Sequence, residues 1–154
     1  MSAKDDKRRA RSASRLYAVQ ALFQMERSGQ TVEQVSREFE DHRFGASYEE
    51  GEFAEGNVDI FRALVDRAVD RQAEIDQLTD RARVAKWPIA RIDPVLRALF
   101  RAAGAELLAK ETPPKVVIVE FVQVAQAFHP EGKEGSFVNA VLDHMAREAR
   151  PEAF

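Results

Sequence analysis

Apolar residues recur every three to four positions along most of this chain, and this period constrains its fold more than any other feature. Leu16, Val19 and Leu22 begin the pattern. The same spacing returns between residues 58 and 68, between 96 and 107, and between 137 and 145. Side chains at this spacing share one face of an α-helix, whereas those of a strand alternate between two faces. The sequence therefore predicts an all-α fold with six or seven helices.

Helix start signals sharpen this prediction. Thr31 is followed three residues later by Gln34, which is the pattern of a capping box. Asp93-Pro94 and Thr112-Pro113 each place a capping side chain directly before a proline. Proline is favoured at the first helical position because its missing N–H would have no helical partner there. We therefore expect helices to begin at about residues 32, 94 and 113.

Breaks in the period indicate how the chain is divided. Residues 41–57 hold three glycines and one asparagine among five acidic side chains, which is typical of a loop. Trp87-Pro88 interrupts the helical pattern and marks a boundary between two halves. We expect a basic arm over residues 1–12 and one domain over residues 13–150. Within that domain we expect two small helical bundles packed together, at about 13–80 and 92–150.

One segment carries conflicting signals. Residues 116–119 read Val-Val-Ile-Val, and β-branched residues of this kind favour a strand. However, Val117, Phe121 and Val124 continue the helical spacing through and beyond it. No second strand is visible in the sequence, and a lone strand cannot satisfy its backbone hydrogen bonds. We therefore predict a buried helix here.

Charge is distributed unevenly, although the total is nearly balanced. The chain has 23 Lys and Arg against 26 Asp and Glu, a net charge of −3. Residues 1–15 hold six cations and two acids, so they carry +4 and the remainder carries −7. A phosphate backbone suits such a segment, because each neutralised phosphate releases counterions. We expect a flexible arm that frays until an anion binds it. The alternative is a solvated tail that only aids solubility.

Signs of catalysis are sparse. The absence of cysteine excludes disulfides, thiolate metal sites and cysteine nucleophiles, and it suits a cytoplasmic protein. The seven glycines form no phosphate-binding loop, and the three histidines lack the spacing of metal ligands. No uncharged run is long enough to span a bilayer. Glu120 interrupts an apolar run, and is either a buried, paired carboxylate or the polar edge of its helix. We predict that the chain is not an enzyme.

Four stretches, taken in order, resemble the NusB family of bacterial transcription antitermination factors. They are Arg15–Gln24, Ile92–Arg97, Lys115–Glu120 and Phe137–Asp143. The last is the most specific, since it reads Phe-Val-Asn-Ala-Val-Leu-Asp where the family typically has glycine in place of the alanine. The matches extend from about residue 8 to residue 145, which is nearly the whole chain.

The resemblance implies a function that the residues alone do not reach. It implies an all-helical protein that binds the boxA element of nascent ribosomal RNA. The implied partner is NusE, a small-subunit ribosomal protein, together with other Nus factors and RNA polymerase. Together they would suppress premature termination in the cytoplasm, without catalysis and without a cofactor. A homodimer is also compatible with the family.

The resemblance also assigns roles by position. The implied RNA-binding residues are the arm cations with one further arginine and one aromatic ring: Lys7, Arg8, Arg9, Arg11, Arg15 and Phe137. Arginine suits this role, because its planar fork grips phosphate with two bonds and stacks on bases. The implied partner-binding residues are Asp93, Phe137 and Asn139.

Each partner-binding residue keeps a second interpretation. Asp93 also fits the N-cap of the helix that begins at Pro94. Phe137 also fits core packing with its neighbours in the last helix. Asn139 also fits a role in capping or orienting that helix. For the protein as a whole, the alternative is a helical protein–protein scaffold, or a homodimeric assembly module, with a nonspecific basic tail.

Overall fold

Seven α-helices account for almost all of the chain that the structure describes. The computed structural model describes residues 3–44, 57–86, 92–130, 132 and 134–154. The helices are α1 Ala3–Ser28, α2 Val32–Phe39, α3 Val58–Asp70, α4 Gln72–Lys86, α5 Pro94–Ala109, α6 Pro114–Phe128 and α7 Glu134–Ala149. A π-helical turn, Glu40–Phe44, follows α2, and a 3-10 turn, Pro151–Ala153, follows α7. The predicted all-α class is confirmed.

Two of the predicted helix starts lie where the sequence signals put them. At α2, the Gln34 N–H donates to the Thr31 hydroxyl at 3.2 Å, and the Thr31 N–H donates to the Gln34 side chain at 2.9 Å. At α5, the Val95 N–H donates to the Asp93 carboxylate at 2.7 Å. Each bond satisfies a backbone group that the helix itself leaves without a partner.

The third predicted start is displaced by one residue. Helix α6 begins at Pro114, and Pro113 occupies the N-cap position without a side-chain cap. The Thr112 hydroxyl is therefore not used for capping. It donates instead to the Glu106 carboxylate at 2.7 Å.

The β-branched run at residues 116–119 is helical, as predicted. It lies in α6, where Val117 and Ile118 are buried while Val116 and Val119 are 44% and 55% exposed. A helix presents only some of four consecutive residues to the core. Tertiary packing therefore outweighs the strand propensity of these side chains.

Helix α5 occupies the centre of the molecule. It packs against α1, α3, α4, α6 and α7. Its middle is rich in alanine, with Gly104 among the alanines, and every residue from Ala102 to Leu107 is buried. Small side chains let neighbouring helix axes approach closely. Helix α4 packs against α5 and α7 as well as against α3, so it connects the early helices to the late ones.

Several predicted features lie outside the described residues. These are the boundary at Trp87-Pro88, most of the loop predicted over residues 41–57, and the first two residues of the arm. Among the helices that the structure describes, none combines the length and apolarity needed to cross a membrane.

Candidate nucleic-acid interface

The cations of the predicted arm lie on the first turns of a long helix. Residues from Ala3 onward belong to α1, which continues without interruption to Ser28. The side chains of Lys7, Arg8, Arg9 and Arg11 are exposed. Arg8 donates to Asp5 at 3.0 Å, yet its side chain remains 73% exposed. The four cations are therefore presented to solvent within little more than one helical turn.

The predicted arm is helical in the structure. Asp5 and Asp6 lie in the first turn, where acidic side chains stabilise the positive end of a helix. The Asp5–Arg8 pair, three residues apart, adds a modest contribution of the same sign. At the base of the arm, the Ser12 hydroxyl donates to Glu120 of α6 at 2.7 Å. The arm is thus continuous with a helix that the body holds in place.

Arg15 lies apart from these exposed cations. Its side chain is 5% exposed and sits between α5 and α6. Its Nε and one terminal nitrogen donate to the two oxygens of Glu106, both at 2.8 Å. Its other terminal nitrogen donates to Glu120 Oε1 at 2.7 Å. A phosphate would have to displace buried carboxylates to reach Arg15, so its position argues against the phosphate contact expected from the resemblance.

The charge of Arg15 is fully compatible with its burial. Burial lowers the pKa of Arg15, but the hydrogen bonds and charges of Glu106 and Glu120 outweigh that effect and raise the pKa above its ordinary value. Thr112 also donates to Glu106, and Ser12 donates to Glu120. Each carboxylate therefore accepts a hydroxyl as well as the guanidinium, which offsets part of its desolvation.

Asp93 lies far from the arm. Helices α1 and α5 run in opposite directions, because Arg15 pairs with Glu106 near the end of α5 and Glu26 pairs with Arg97 near its start. Asp93 precedes that start. Residues 8 and 26 of α1 are separated by about 27 Å of helix. One Asp93 oxygen caps α5 while the residue as a whole is exposed, so the cap is established and the surface position is retained.

Phe137 and Asn139 occupy the first half of α7 but differ in their surroundings. The Phe137 ring is partly buried and meets the buried Phe100 ring edge to face, with centroids 6.1 Å apart. Asn139 is exposed. Because α7 begins at Glu134, Asn139 lies inside the helix and does not cap it. Phe137 therefore packs against the core through Phe100 of α5, and part of its ring is left accessible.

The hydrogen-bonded cluster around Arg15 contains residues whose roles the sequence does not predict. Glu120 was singled out, and it is the paired carboxylate. Glu106 and Ser12 are not predicted as site residues, and Thr112 is predicted only as a helix cap. A signal for Glu106 was available, because it is a single acid inside the run 102–109, which is otherwise made of alanine, glycine and leucine. Its partner was not identifiable, since Arg15 is 91 residues away along the chain.

Comparison with known proteins matches most of the chain to one family model. Residues 12–147 match the NusB family model. The Transcription antitermination protein NusB of Maricaulis maris (strain MCS10) is 47% identical over 154 residues, covering 99% of this chain and 96% of the relative. The corresponding protein of Granulibacter bethesdensis is 43% identical, covering 95% and 93%.

Solved structures of NusB proteins share the fold of this chain. The NusB of T. maritima superposes with a TM-score of 0.69 at 31% identity, covering 93% of this chain and 95% of that one. A chain from the crystal structure of the antitermination factors NusB and NusE in complex with dsRNA gives a TM-score of 0.71 at 24% identity, covering 89% and 96%. At that identity, the second match supports the fold alone.

Proposed function

Since this chain belongs to the NusB family and is a transcription antitermination factor, we propose that it binds the boxA element of nascent ribosomal RNA together with NusE. In this proposal it acts by binding and not by catalysis. It works in the cytoplasm, on transcripts emerging from RNA polymerase, with other Nus factors. The support from relatives is that a structurally similar NusB forms a complex with NusE and dsRNA.

One observation carries the RNA-binding part of the proposal, namely the exposed cations on the arm helix. Lys7, Arg8, Arg9 and Arg11 are all exposed within one short stretch of α1. Residues 1–15 carry +4 on a protein whose net charge is −3. A concentrated positive segment on an otherwise negative body directs a polyanion to that segment. We therefore assign the phosphate contacts to these four residues and leave Arg15 out.

A partner follows from the same charge distribution. The −7 of the remaining residues opposes phosphate beyond the arm, and a basic protein bound to the body would relieve this opposition. We assign the partner contacts to Asp93, Asn139 and the accessible part of Phe137. For Phe137 we propose a contact with RNA as well. Asp93 and Asn139 are exposed, which leaves them accessible to a second protein.

Fluorescence anisotropy of a labelled boxA RNA tests the proposal. The protein is titrated into boxA and into a scrambled RNA, with and without NusE. We expect a preference for boxA that NusE strengthens. Replacing Arg8, Arg9 and Arg11 by alanine is expected to weaken binding by about 10- to 100-fold, because three phosphate contacts are lost.

The matched control removes the same charge outside the arm, at the exposed residues Arg27, Arg37 and Arg71. We expect this control to change RNA affinity by no more than about threefold, as distant exposed charges are screened. Equal losses in the two triple variants would contradict a role for the arm. Equal binding of boxA and scrambled RNA under all conditions would favour the scaffold with a nonspecific tail.

A further inference from the structure

We infer that Ser12, Arg15, Glu106 and Glu120 form a clamp that fixes the direction of the arm and so presents its cations to RNA. We call these four residues the arm clamp. In this inference, which rests on the proposed RNA binding, Arg15 is a positioning residue. It contributes to RNA affinity without touching RNA.

The clamp lies immediately next to the cations. Ser12 and Arg15 are three residues apart, so they share one face of α1. Arg8 precedes Ser12 by one turn, and Arg11 precedes Arg15 by one turn. The Ser12–Glu120 bond, which joins the arm to the body, is thus within one turn of both arginines. When the body holds this turn of α1, the direction of the preceding turn, which carries the cations, is also fixed.

A second tie holds the opposite side of the same turn. The Ser14 hydroxyl accepts a hydrogen bond from the Asn57 N–H at 2.5 Å. Asn57 is the N-cap of α3. The base of the arm is therefore bonded to α3 on one side and to α5 and α6 on the other.

An unsupported arm would not keep this direction. Helices shorter than about 12 residues are marginal in water, and like charges on neighbouring turns oppose each other. The buried residues of α1 begin only at Ser14. Before that residue, the Ser12–Glu120 bond joins α1 to the body.

The chemistry of the clamp suits positioning better than stabilisation. Burying charges has a desolvation cost that often equals or exceeds the attraction gained, so apolar side chains would stabilise the same site at least as well. An Arg–carboxylate pair with two parallel bonds adds directional constraint. Here three guanidinium nitrogens are bonded to three carboxylate oxygens on two different helices. This arrangement restrains the orientation of α1 about its own axis as well as its distance from the body.

Glu120→Ala distinguishes a positioning role from a purely electrostatic one, because the two predict opposite changes in RNA affinity. Removing a negative charge close to bound RNA should strengthen binding if only charge matters. Loosening the arm should weaken binding, because the arm must then be ordered when RNA binds. Ordering one flexible group costs a factor of about 2 to 10 in affinity. Glu106 still pairs with Arg15 in this variant, so the buried cation keeps a partner.

The experiment measures arm direction and RNA affinity in the full chain. The chain has no cysteine, so Lys4→Cys and Gln123→Cys, both at exposed positions, give two unique spin-label sites. We expect a narrow distance distribution in the parent protein and a broad one after Glu120→Ala. In the unlabelled protein, boxA affinity is expected to fall about fivefold.

Ser12→Ala is the second variant, since it loses one hydrogen bond and changes no charge. It should shift both measurements in the same direction by a smaller amount. Ser28→Ala is its control, because Ser28 also donates a side-chain bond on α1, to Gln30 at 2.9 Å, but at the far end. It should change neither measurement.

Each result has one meaning. Unchanged or tighter RNA binding after Glu120→Ala, or an unchanged distance distribution, overturns the positioning role. If the triple arginine variant of the arm also binds RNA normally, the proposed function fails as well. If that variant loses binding while Glu120→Ala does not, only the clamp inference is lost.

Discussion

Gly104 lies where helices α4 and α5 pack too closely to leave room for a side chain on α5. It lies in the buried middle of α5, opposite Ile75 of α4. A Cβ atom added at Gly104 would lie 2.5 Å from Ile75 Cγ2. Ile75 is itself fully buried, so it has little room to move away. Glycine is required here by the close approach of the helices.

Gly104→Ala is therefore expected to destabilise the fold. Alanine has a helix propensity about 1 kcal/mol more favourable than that of glycine, but overpacking against Ile75 costs about 1–3 kcal/mol. We therefore expect a net loss of folding stability. Gly135→Ala is the matched control, because its Cβ would meet Gln126 Nε2 at an acceptable 3.4 Å. Urea denaturation should show a lower midpoint for Gly104→Ala only. Equal midpoints for the two variants would contradict the close packing.

Single residues also show how far sequence reasoning extends. The caps Thr31 and Asp93 were predictable, because a cap and its helix are neighbours in the chain. Arg15 was not. Its charge and its place in a basic segment indicate an exposed phosphate ligand, whereas its burial depends on Glu106 and Glu120, which are 91 and 105 residues away.

At the scale of elements, α2 and α3 are joined by charged side chains as well as by their apolar faces. Arg62 of α3 donates to both oxygens of Glu40, at 2.7 and 3.1 Å, and lies 3.5 Å from Glu33 of α2. Asp66 lies one turn further along α3. Burial raises the pKa of Asp66, and although Arg62 lowers it, the acids around Asp66 raise it further, so that the net shift is upward. The folded protein therefore binds the proton of the Asp66 carboxyl group more tightly than the unfolded chain does.

This upward shift has a defined consequence for stability. A folded-state pKa above the unfolded value means that the charged Asp66 destabilises the fold at neutral pH, and that the penalty disappears as pH falls through the folded pKa. Asp66→Asn should raise the free energy of unfolding at pH 7 by no more than about 0.5 kcal/mol, because Asp66 is only partly desolvated and solvent screens its charge. At about pH 3 the two proteins should be equally stable. Denaturation at both pH values checks this, and a pH-independent difference would contradict it.

Elements also divide into those the sequence defines and those it does not. The type of α6 was predictable despite its β-branched run, because its apolar spacing extends well beyond four residues. The extent of α1 was not. Its first turns have no apolar face, so their helical form depends on the packed remainder of the helix and on Ser12.

For the whole molecule, the distribution of charge decides how RNA binding should respond to salt. The positive charge is concentrated in residues 1–15, and the rest of the chain is negative. We therefore expect the arm to contribute most of the released counterions. For single-stranded RNA, the slope of log affinity against log salt changes by about 0.7 for each phosphate neutralised.

The triple variant Arg8→Ala, Arg9→Ala, Arg11→Ala should reduce the magnitude of this slope by about 2. Titrations at four salt concentrations give the slope for the variant and for the parent protein. The variant with alanine at Arg27, Arg37 and Arg71 should retain the parent slope. A parental slope in the arm variant would place the phosphate contacts elsewhere on the protein.

The arm clamp also determines when, during synthesis, the first helix acquires its final position. Ser12 and Arg15 leave the ribosome before their partners, which follow 91 to 108 residues later. Contacts between distant parts of a chain form slowly, because a long loop must close first. Until Glu120 emerges, α1 lacks its attachment to α6 while its cations are already exposed. A nascent chain therefore presents a charged arm well before it presents an oriented one, and completion of α6 is the step that converts one into the other.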